Sequence, residues 1–273
     1  MIAQRRVLTL LGWVVATGIG CALFAWPFFV SDASVAAIAA LGIGTCGALI
    51  LIEMGSRSLD VRSFALLVAL SSIDAAARAL LVTGIGGFSP IFLLILCAGY
   101  VFGARYGFLV GASSLLVSAV VTGGIGPWLP YQLFAAGWVG AFAGFFAHRR
   151  DHKPDWCDVA ILAMIGIVAG YGFGIAMDIW DWTYYQAAPG LGFHPGMSLS
   201  LALSHFVRFY LTTSFVWDSF RAGGNALMVM VLGTPILIAL GRLRAQMSAR
   251  VHRSTPGKES QSRIGTPSSE LFH

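Results

Sequence analysis

Long apolar stretches recur along this chain, and their length restricts the possible folds more than any other feature. A helix that crosses the hydrocarbon core of a bilayer needs about 20 predominantly apolar residues. Candidates lie at 8–30, 34–54, 62–83, 90–104, 107–122, 131–147, 157–178 and 221–243. Some are short, but helices packed inside a bundle can be shorter or tilted. The pattern predicts an all-α fold, a polytopic membrane helix bundle.

The composition agrees with a bilayer environment. Of the 273 residues, 57% are hydrophobic and 11% are charged, whereas a soluble domain carries roughly 25% charged residues. The net charge of +5 comes mostly from basic residues in short hydrophilic breaks and near the C-terminus, without interleaved aromatic residues. Nucleic acid is therefore not expected as a partner, and the lipid bilayer is.

The positions of lysine and arginine predict the topology, because cytoplasmic segments of membrane proteins carry an excess of both. If the N-terminus is inside, eight crossings place the breaks at 55–62, 105 and 148–156 and the segment after 241 on the same side. Together with the N-terminal segment, these breaks hold fourteen of the seventeen basic residues. We therefore expect both termini to be cytoplasmic.

One further apolar stretch, at 199–220, does not fit as a crossing, because counting it would move the basic C-terminus outside. We interpret it as an external helix, re-entrant or interfacial, with a break before the last span at Gly223 and Gly224. With the aromatic residues that precede it, this stretch is predicted to form an external lid segment over 179–220. Residues 246–273 are polar and are predicted to be a disordered cytoplasmic tail.

No motif for catalysis occurs in the chain. There is no Gly-x-x-x-x-Gly-Lys phosphate loop, no Gly-x-Ser-x-Gly and no His-Glu-x-x-His. The six histidines are scattered, and none of the four cysteines forms a Cys-x-x-Cys pair. We expect no catalytic residue, no metal site and no cofactor.

A stripe of small residues follows the third apolar stretch. Ala65, Ala69, Ser72, Ala76 and Ala79 recur at a 4-3-4-3 spacing, which places them on one face of a helix. Small residues let another helix approach closely in a membrane. The spacing alone leaves open whether that helix belongs to this chain or to a partner.

Two charged residues lie in the same predicted span. Asp74 and Arg78 are four residues apart, so they can pair on one helix face. Ionisable groups within spans tend to face an interior cavity. Arg78 could therefore bind a polar or anionic group of a ligand, or it could extend to the outer interface as an ion-paired side chain.

Two aromatic-rich segments are predicted to lie outside. In the first, Trp128, Tyr131 and Gln132 follow a glycine- and proline-rich turn; in the second, Trp180 and Trp182 lie in the run at 177–196. Such aromatic residues either anchor a protein at the membrane interface or line a site for a planar ligand. We predict a substrate-binding site from the residues expected at this depth, namely Arg78, Trp128, Tyr131, Gln132, Asp178, Trp180, Trp182 and Arg208.

The chain resembles the S components of energy-coupling factor (ECF) vitamin transporters, especially the longer, eight-span actinobacterial type. The resemblance rests on Arg78, FSPIFLLILCAGYVFGARYGFLVGA, GGIGPWLPYQLFAAGWVGAFAG, MDIWDW and TSFVWDSFRAGGNAL. It implies two additional helices in 1–61 and a six-helix substrate-binding core in 62–245, in a bacterial cytoplasmic membrane.

The resemblance also implies partners. Such a subunit binds a vitamin or related micronutrient, possibly a corrinoid, and docks onto a transmembrane coupling (T) subunit driven by two cytoplasmic ABC-type ATPases. Ala65, Ala69, Ser72 and Ala76 are expected to form the docking surface for the coupling subunit. The missing phosphate loop agrees with ATP hydrolysis in other chains.

Two other classes of function remain open at this point. A self-sufficient secondary transporter could couple to protons through Asp74, Asp178 or Asp181. A membrane-embedded enzyme would need a paired histidine or carboxylate cluster inside the bundle, which the sequence does not indicate.

Overall fold

The computed structural model of the protein describes residues 2–29, 35–55, 59–80, 89–146, 154–185 and 189–253, and most of these residues are helical. These residues contain nine α-helices, a short 3₁₀ turn at Trp26–Phe28 and no strand. The helices are α1 (Ile2–Ala25), α2 (Val35–Gly55), α3 (Val61–Leu80), α4 (Ile91–Phe102), α5 (Ala104–Thr122), α6 (Leu129–Phe145), α7 (Trp156–Trp182), α8 (Leu199–Thr213) and α9 (Phe215–Arg253).

Several helices have the dimensions of membrane spans. The segments Thr9–Phe28, Val61–Leu80, Ala104–Thr122, Trp156–Trp182 and Phe215–Met247 are long and apolar enough to cross a bilayer, and Ala40–Met54 and Ile91–Phe102 are shorter apolar helices. Each of the eight predicted stretches overlaps one helix among α1–α7 and α9. The prediction of an all-α membrane bundle is confirmed, whereas the count of eight crossings stays a prediction.

Helices α4, α5 and α6 form the closely packed centre of the bundle. A Cβ atom on Gly99 of α4 or on Gly107 of α5 would lie 2.1 or 2.3 Å from the carbonyl oxygen of Gly140 on α6. The three backbones therefore touch where side chains would otherwise separate them. Close contact of this kind supplies the van der Waals attraction that drives helix association in lipid.

The turn between α4 and α5 lies at residue 103, two residues before the break predicted at 105. Gly103 alone separates the two helices, and its φ of 94° lies in a region that residues with a side chain rarely adopt. A single glycine suffices because α5 begins at once at Ala104, and the backbone amide of Gly107 is bonded to the carbonyl of Gly103.

The helix break predicted at Gly223 and Gly224 is wrong. Helix α9 runs through both glycines, and the break lies at Ser214, between α8 and α9. A glycine inside a helix costs only about 1 kcal/mol, and the adjacent turn is fixed because Asn225 Nδ2 donates to the carbonyl of Gly166 on α7, at 3.0 Å. Tight packing against α7 therefore keeps α9 helical.

Two other segment boundaries also differ from the predicted ones. Helix α7 continues to Trp182, so the first part of the predicted lid is the last turn of a long helix. Helix α9 continues to Arg253, so residues 246–253, predicted to be disordered, are helical. The remainder of the predicted tail, 254–273, and most of the basic break at 148–156 lie outside the described residues.

Candidate functional site

A cleft of about 260 Å³ lies where the N-terminal end of α6 meets the C-terminal end of α7. Its lining consists of two tryptophans, a glutamine, a methionine and two carboxylates, namely Trp128, Gln132, Met177, Asp178, Trp180 and Asp181. Aromatic walls with a few polar groups are typical of sites for small organic ligands. None of these lining residues is Lys, Arg or His, so the cleft presents hydrogen-bond acceptors and negative charge.

The wall that α6 contributes is held by the turn before the helix. Trp128 is the N-cap residue of α6, and its indole Nε1 donates to the carbonyl oxygen of Gly124 at 3.2 Å. One helical turn later, Gln132 is half-buried, and among the described residues its side-chain amide has no hydrogen-bond partner. The amide can therefore both donate to and accept from a ligand.

The wall that α7 contributes carries the carboxylates. Asp178 is 8% exposed, its Oδ1 accepts a 2.8 Å hydrogen bond from Ser214 Oγ, and its Oδ2 has no partner within the described part of the chain. Asp181 is exposed one turn further on. A buried oxygen without a donor is costly, so a ligand hydroxyl or N–H group that donates to Asp178 would be stabilised.

Tyr131 lies behind the cleft and does not line it. Its side chain is 1% exposed, and its ring contacts that of Trp180 with centroids 5.3 Å apart. Because Tyr131 is buried, it does not act as an aromatic anchor at the membrane interface. It supports the wall formed by Trp180.

The structure brings together four of the eight predicted site residues, which are Trp128, Gln132, Asp178 and Trp180. Trp182 faces a different cluster, where its Nε1 donates to the carbonyl of Leu191 at 2.6 Å. Arg208 is exposed on α8. None of Tyr131, Trp182, Arg208 and Arg78 is part of the cleft lining.

The ion pair that the spacing of Asp74 and Arg78 permits is absent from the described residues. Arg78 Nη1 donates instead to Ser118 Oγ on α5, at 3.0 Å, while Asp74 is buried on α3 at 1% exposure. Spacing along α3 permits the pair, but the neighbouring helix offers Arg78 an alternative acceptor. The sequence of α3 carries no signal for that contact.

Sequence reasoning missed Met177 as a lining residue and named Asp181 only as a possible proton-coupling residue. Asp181 lies beside the other two because α7 extends to Trp182, so that Met177, Asp178 and Asp181 lie within about one helical turn of each other. The predicted span ends at residue 178, so Asp181 falls in the external aromatic run. Helical periodicity continued by one turn places Asp181 on the same face as Met177 and Asp178.

The small residues of α3 lie on its outer surface. Ala65, Ala69, Ser72 and Ala76 are exposed, whereas the opposite face of the helix is buried against the rest of the bundle through Leu67, Leu70, Ser71, Asp74 and Ala75. These four members of the stripe are therefore not used for packing within the described part of the chain, whereas the fifth, Ala79, is half-buried. The four form a flat, small-residue surface on the outside of the bundle.

Comparison with known proteins finds a similarity to one family over part of the chain. Residues 58–191, just under half of the chain, match the family described as ECF-type riboflavin transporter, S component. The matched segment contains all six residues that line the cleft. No curated protein and no solved structure matches the chain. The matched segment, which spans α3–α7, is similar to the S components of ECF-type transporters.

Proposed function

We propose that the protein is the substrate-binding subunit of an ECF-type importer and that its ligand is an uncharged, planar vitamin of about the size of riboflavin. Energy would come from a transmembrane coupling subunit and two cytoplasmic ABC-type ATPases. The observation that carries the proposal is the cleft between Trp128 and Trp180, which lies inside the segment that matches the family.

The chemistry of the cleft supports a neutral ligand rich in hydrogen-bond donors. Two carboxylates line it without a basic residue, so an anionic group would be repelled, whereas hydroxyl and imide N–H groups could donate to Asp178. The indole faces suit a flat ring system. Riboflavin, named in the description of the matched family, has a flat tricyclic ring, an imide N–H and a polyhydroxylated chain.

The size of the cleft argues against the corrinoid considered above. A volume of about 260 Å³ lies near the lower end of the range of sites for drug-sized ligands, roughly 300–1,000 Å³. A corrinoid, with its macrocycle, axial base and side chains, is several times larger than a flavin. A ligand of that size would extend far beyond the lining residues.

A ligand competition experiment tests this assignment. We expect riboflavin fluorescence to be quenched on titration with the purified full-length protein, since an indole stacked on the flavin ring is an efficient quencher. FMN, which carries a phosphate at the end of the same side chain, should bind at least tenfold more weakly because the two carboxylates repel the phosphate. A tenfold difference in affinity corresponds to about 1.4 kcal/mol. Cyanocobalamin should not compete.

Two outcomes would contradict the assignment. Equal affinity for riboflavin and FMN would mean that the carboxylates do not face the ligand. If native mass spectrometry detected a corrinoid retained through purification, the substrate would be that larger molecule and not a flavin. In matched titrations, the variants Asp178→Asn and Asp181→Asn should show a smaller difference in affinity between riboflavin and FMN.

We also propose that both termini are cytoplasmic, and cysteine labelling tests this topology separately. In a background with Cys21, Cys46, Cys97 and Cys157 replaced by serine, a membrane-impermeant maleimide applied to intact cells should label Ser198→Cys and leave Ser254→Cys unmodified. The physical reason is the excess of basic residues on the side predicted to be cytoplasmic. Permeabilised cells, in which both positions should react, are the control. The reverse pattern in intact cells would overturn the orientation.

A further inference from the structure

The hairpin formed by α1 and α2 lies outside the segment that matches the family, which begins at residue 58. It nevertheless packs tightly on the core. A Cβ atom on Gly20 would lie 2.5 Å from the ring of Phe134, and one on Gly42 would lie 2.5 Å from Cβ of Pro130. Both glycines permit a close approach to α6, the helix that carries one wall of the cleft.

The hairpin is also fixed at its other end. Glu53 on α2 is 3% exposed, and its Oε1 accepts a hydrogen bond of 2.5 Å from Trp13 Nε1 on α1. The same oxygen lies 3.4 Å from Arg105 Nη1, near the start of α5. Trp13 in turn places its ring edge-on against Phe108, with centroids 5.2 Å apart. Contacts along its length therefore hold the hairpin to the core.

A chain of ring contacts runs from the hairpin to the cleft. Phe24 on α1 is buried at 8% exposure and meets Tyr131 edge-on, at 5.2 Å between centroids and 76° between planes. Tyr131 contacts Trp180, which lines the cleft. Since Tyr131 is buried between these two rings, its position depends on Phe24, and Trp180 rests on Tyr131.

The hairpin supports the end of α7 at a second point. Phe28, four residues after Phe24, contacts both Trp182 and Phe193, with centroids 6.0 and 5.0 Å apart. Trp182 lies two residues after Trp180 on α7. The last turn of α7, which carries the aromatic wall and Asp181, is thus packed against the end of α1.

We propose that the α1–α2 hairpin is a positioning element for the ligand site, with Phe24 as the residue that holds Trp180 in its ligand-binding orientation through Tyr131. The inference rests on the proposed function, since it assigns a role to the hairpin in that same cleft. Of these three aromatic residues, only Trp180 lines the cleft; Phe24 and Tyr131 are positioning residues. The hairpin is accordingly part of the specificity of this chain and is not only a membrane anchor.

A double-mutant cycle on riboflavin affinity tests the relay in the full-length protein. We expect Phe24→Ala to weaken riboflavin binding about five- to tenfold, the range of an aromatic pair. In a Trp180→Ala background the same change should cost less than about twofold, because coupled residues lose their effect together. A merely structural role for Phe24 would give equal losses in both backgrounds.

The matched control is Phe29→Ala, the same substitution at a ring that is 84% exposed, which should leave affinity unchanged. If Phe24→Ala does not fold, Phe24→Leu, which keeps apolar volume in the hairpin, replaces it in the double-mutant cycle with Trp180→Ala. Unchanged affinity in the folded Phe24 variant, or additive losses in the cycle, would overturn the relay. Unchanged affinity in Trp180→Ala would instead overturn the proposed site itself, so the two failures are distinguishable.

Discussion

We expect Ala69→Leu to abolish vitamin uptake by the assembled importer while leaving riboflavin binding by the isolated subunit intact. Ala69 is exposed on α3, in the stripe with Ala65, Ser72 and Ala76. If this stripe is the docking surface for the coupling subunit, as we propose, a leucine there would hold the partner helix away from α3. Overpacking of this kind costs up to about 3 kcal/mol, which corresponds to a more than hundredfold loss of assembly.

The measurement has two parts, radiolabelled riboflavin uptake in cells and co-purification with the coupling subunit. Ala48→Leu is the matched control, since Ala48 is exposed on α2 and receives the same side chain outside the stripe. Uptake that survives Leu at both Ala65 and Ala69 would show that the stripe contacts only lipid. Uptake by the protein alone, driven by a proton gradient and without ATPases, would favour the secondary transporter instead.

The second large effect concerns the aromatic wall of the cleft. Trp180→Ala should weaken riboflavin binding by about thirtyfold, which corresponds to about 2 kcal/mol for the loss of one aromatic wall around a buried ligand. Trp180 lines the cleft directly, and it also contacts Tyr131 and Tyr184. Replacing Trp180 by alanine therefore removes the indole face proposed to stack on the ligand, together with the ring contacts to Tyr131 and Tyr184.

Fluorescence titration of the detergent-purified protein measures this effect. Trp156→Ala is the matched control, because Trp156 begins the same helix at its opposite end and is 68% exposed. Trp128→Ala and Gln132→Ala should each weaken binding as well, since both residues line the cleft. Unchanged affinity in all three cleft variants would leave these residues as parts of the α6–α7 junction with no contact to the ligand.

Sequence alone determined the class of fold and predicted half of the residues named for the site at positions that line the cleft. Helices in a bilayer must satisfy their own backbone hydrogen bonds, so apolar stretches of sufficient length leave little choice but a helical bundle. Trp128, Gln132, Asp178 and Trp180 were predicted from residue type and a shared depth in the membrane, and all four line the cleft. Depth can be predicted because it depends only on the distance along a span.

Tertiary structure decided which residues at that depth face each other. Trp182 lies only two residues beyond Trp180, but it points to Leu191 and away from the cleft. Arg78 bonds to Ser118 on a neighbouring helix and not to Asp74, four residues away on its own helix. Rotation of a helix about its axis depends on what packs against it, and that information is spread over distant parts of the chain.

The two N-terminal helices show most clearly that sequence does not reveal which helices contact each other. Their apolar character predicted that they lie in the membrane, but nothing in the residues around Phe24 indicates Tyr131, which is more than a hundred positions away. Likewise, spacing left open whether Ala65 and Ala69 pack within the chain, and the structure shows that both are exposed. Periodicity identifies the face of a helix, and only the packed structure shows what that face meets.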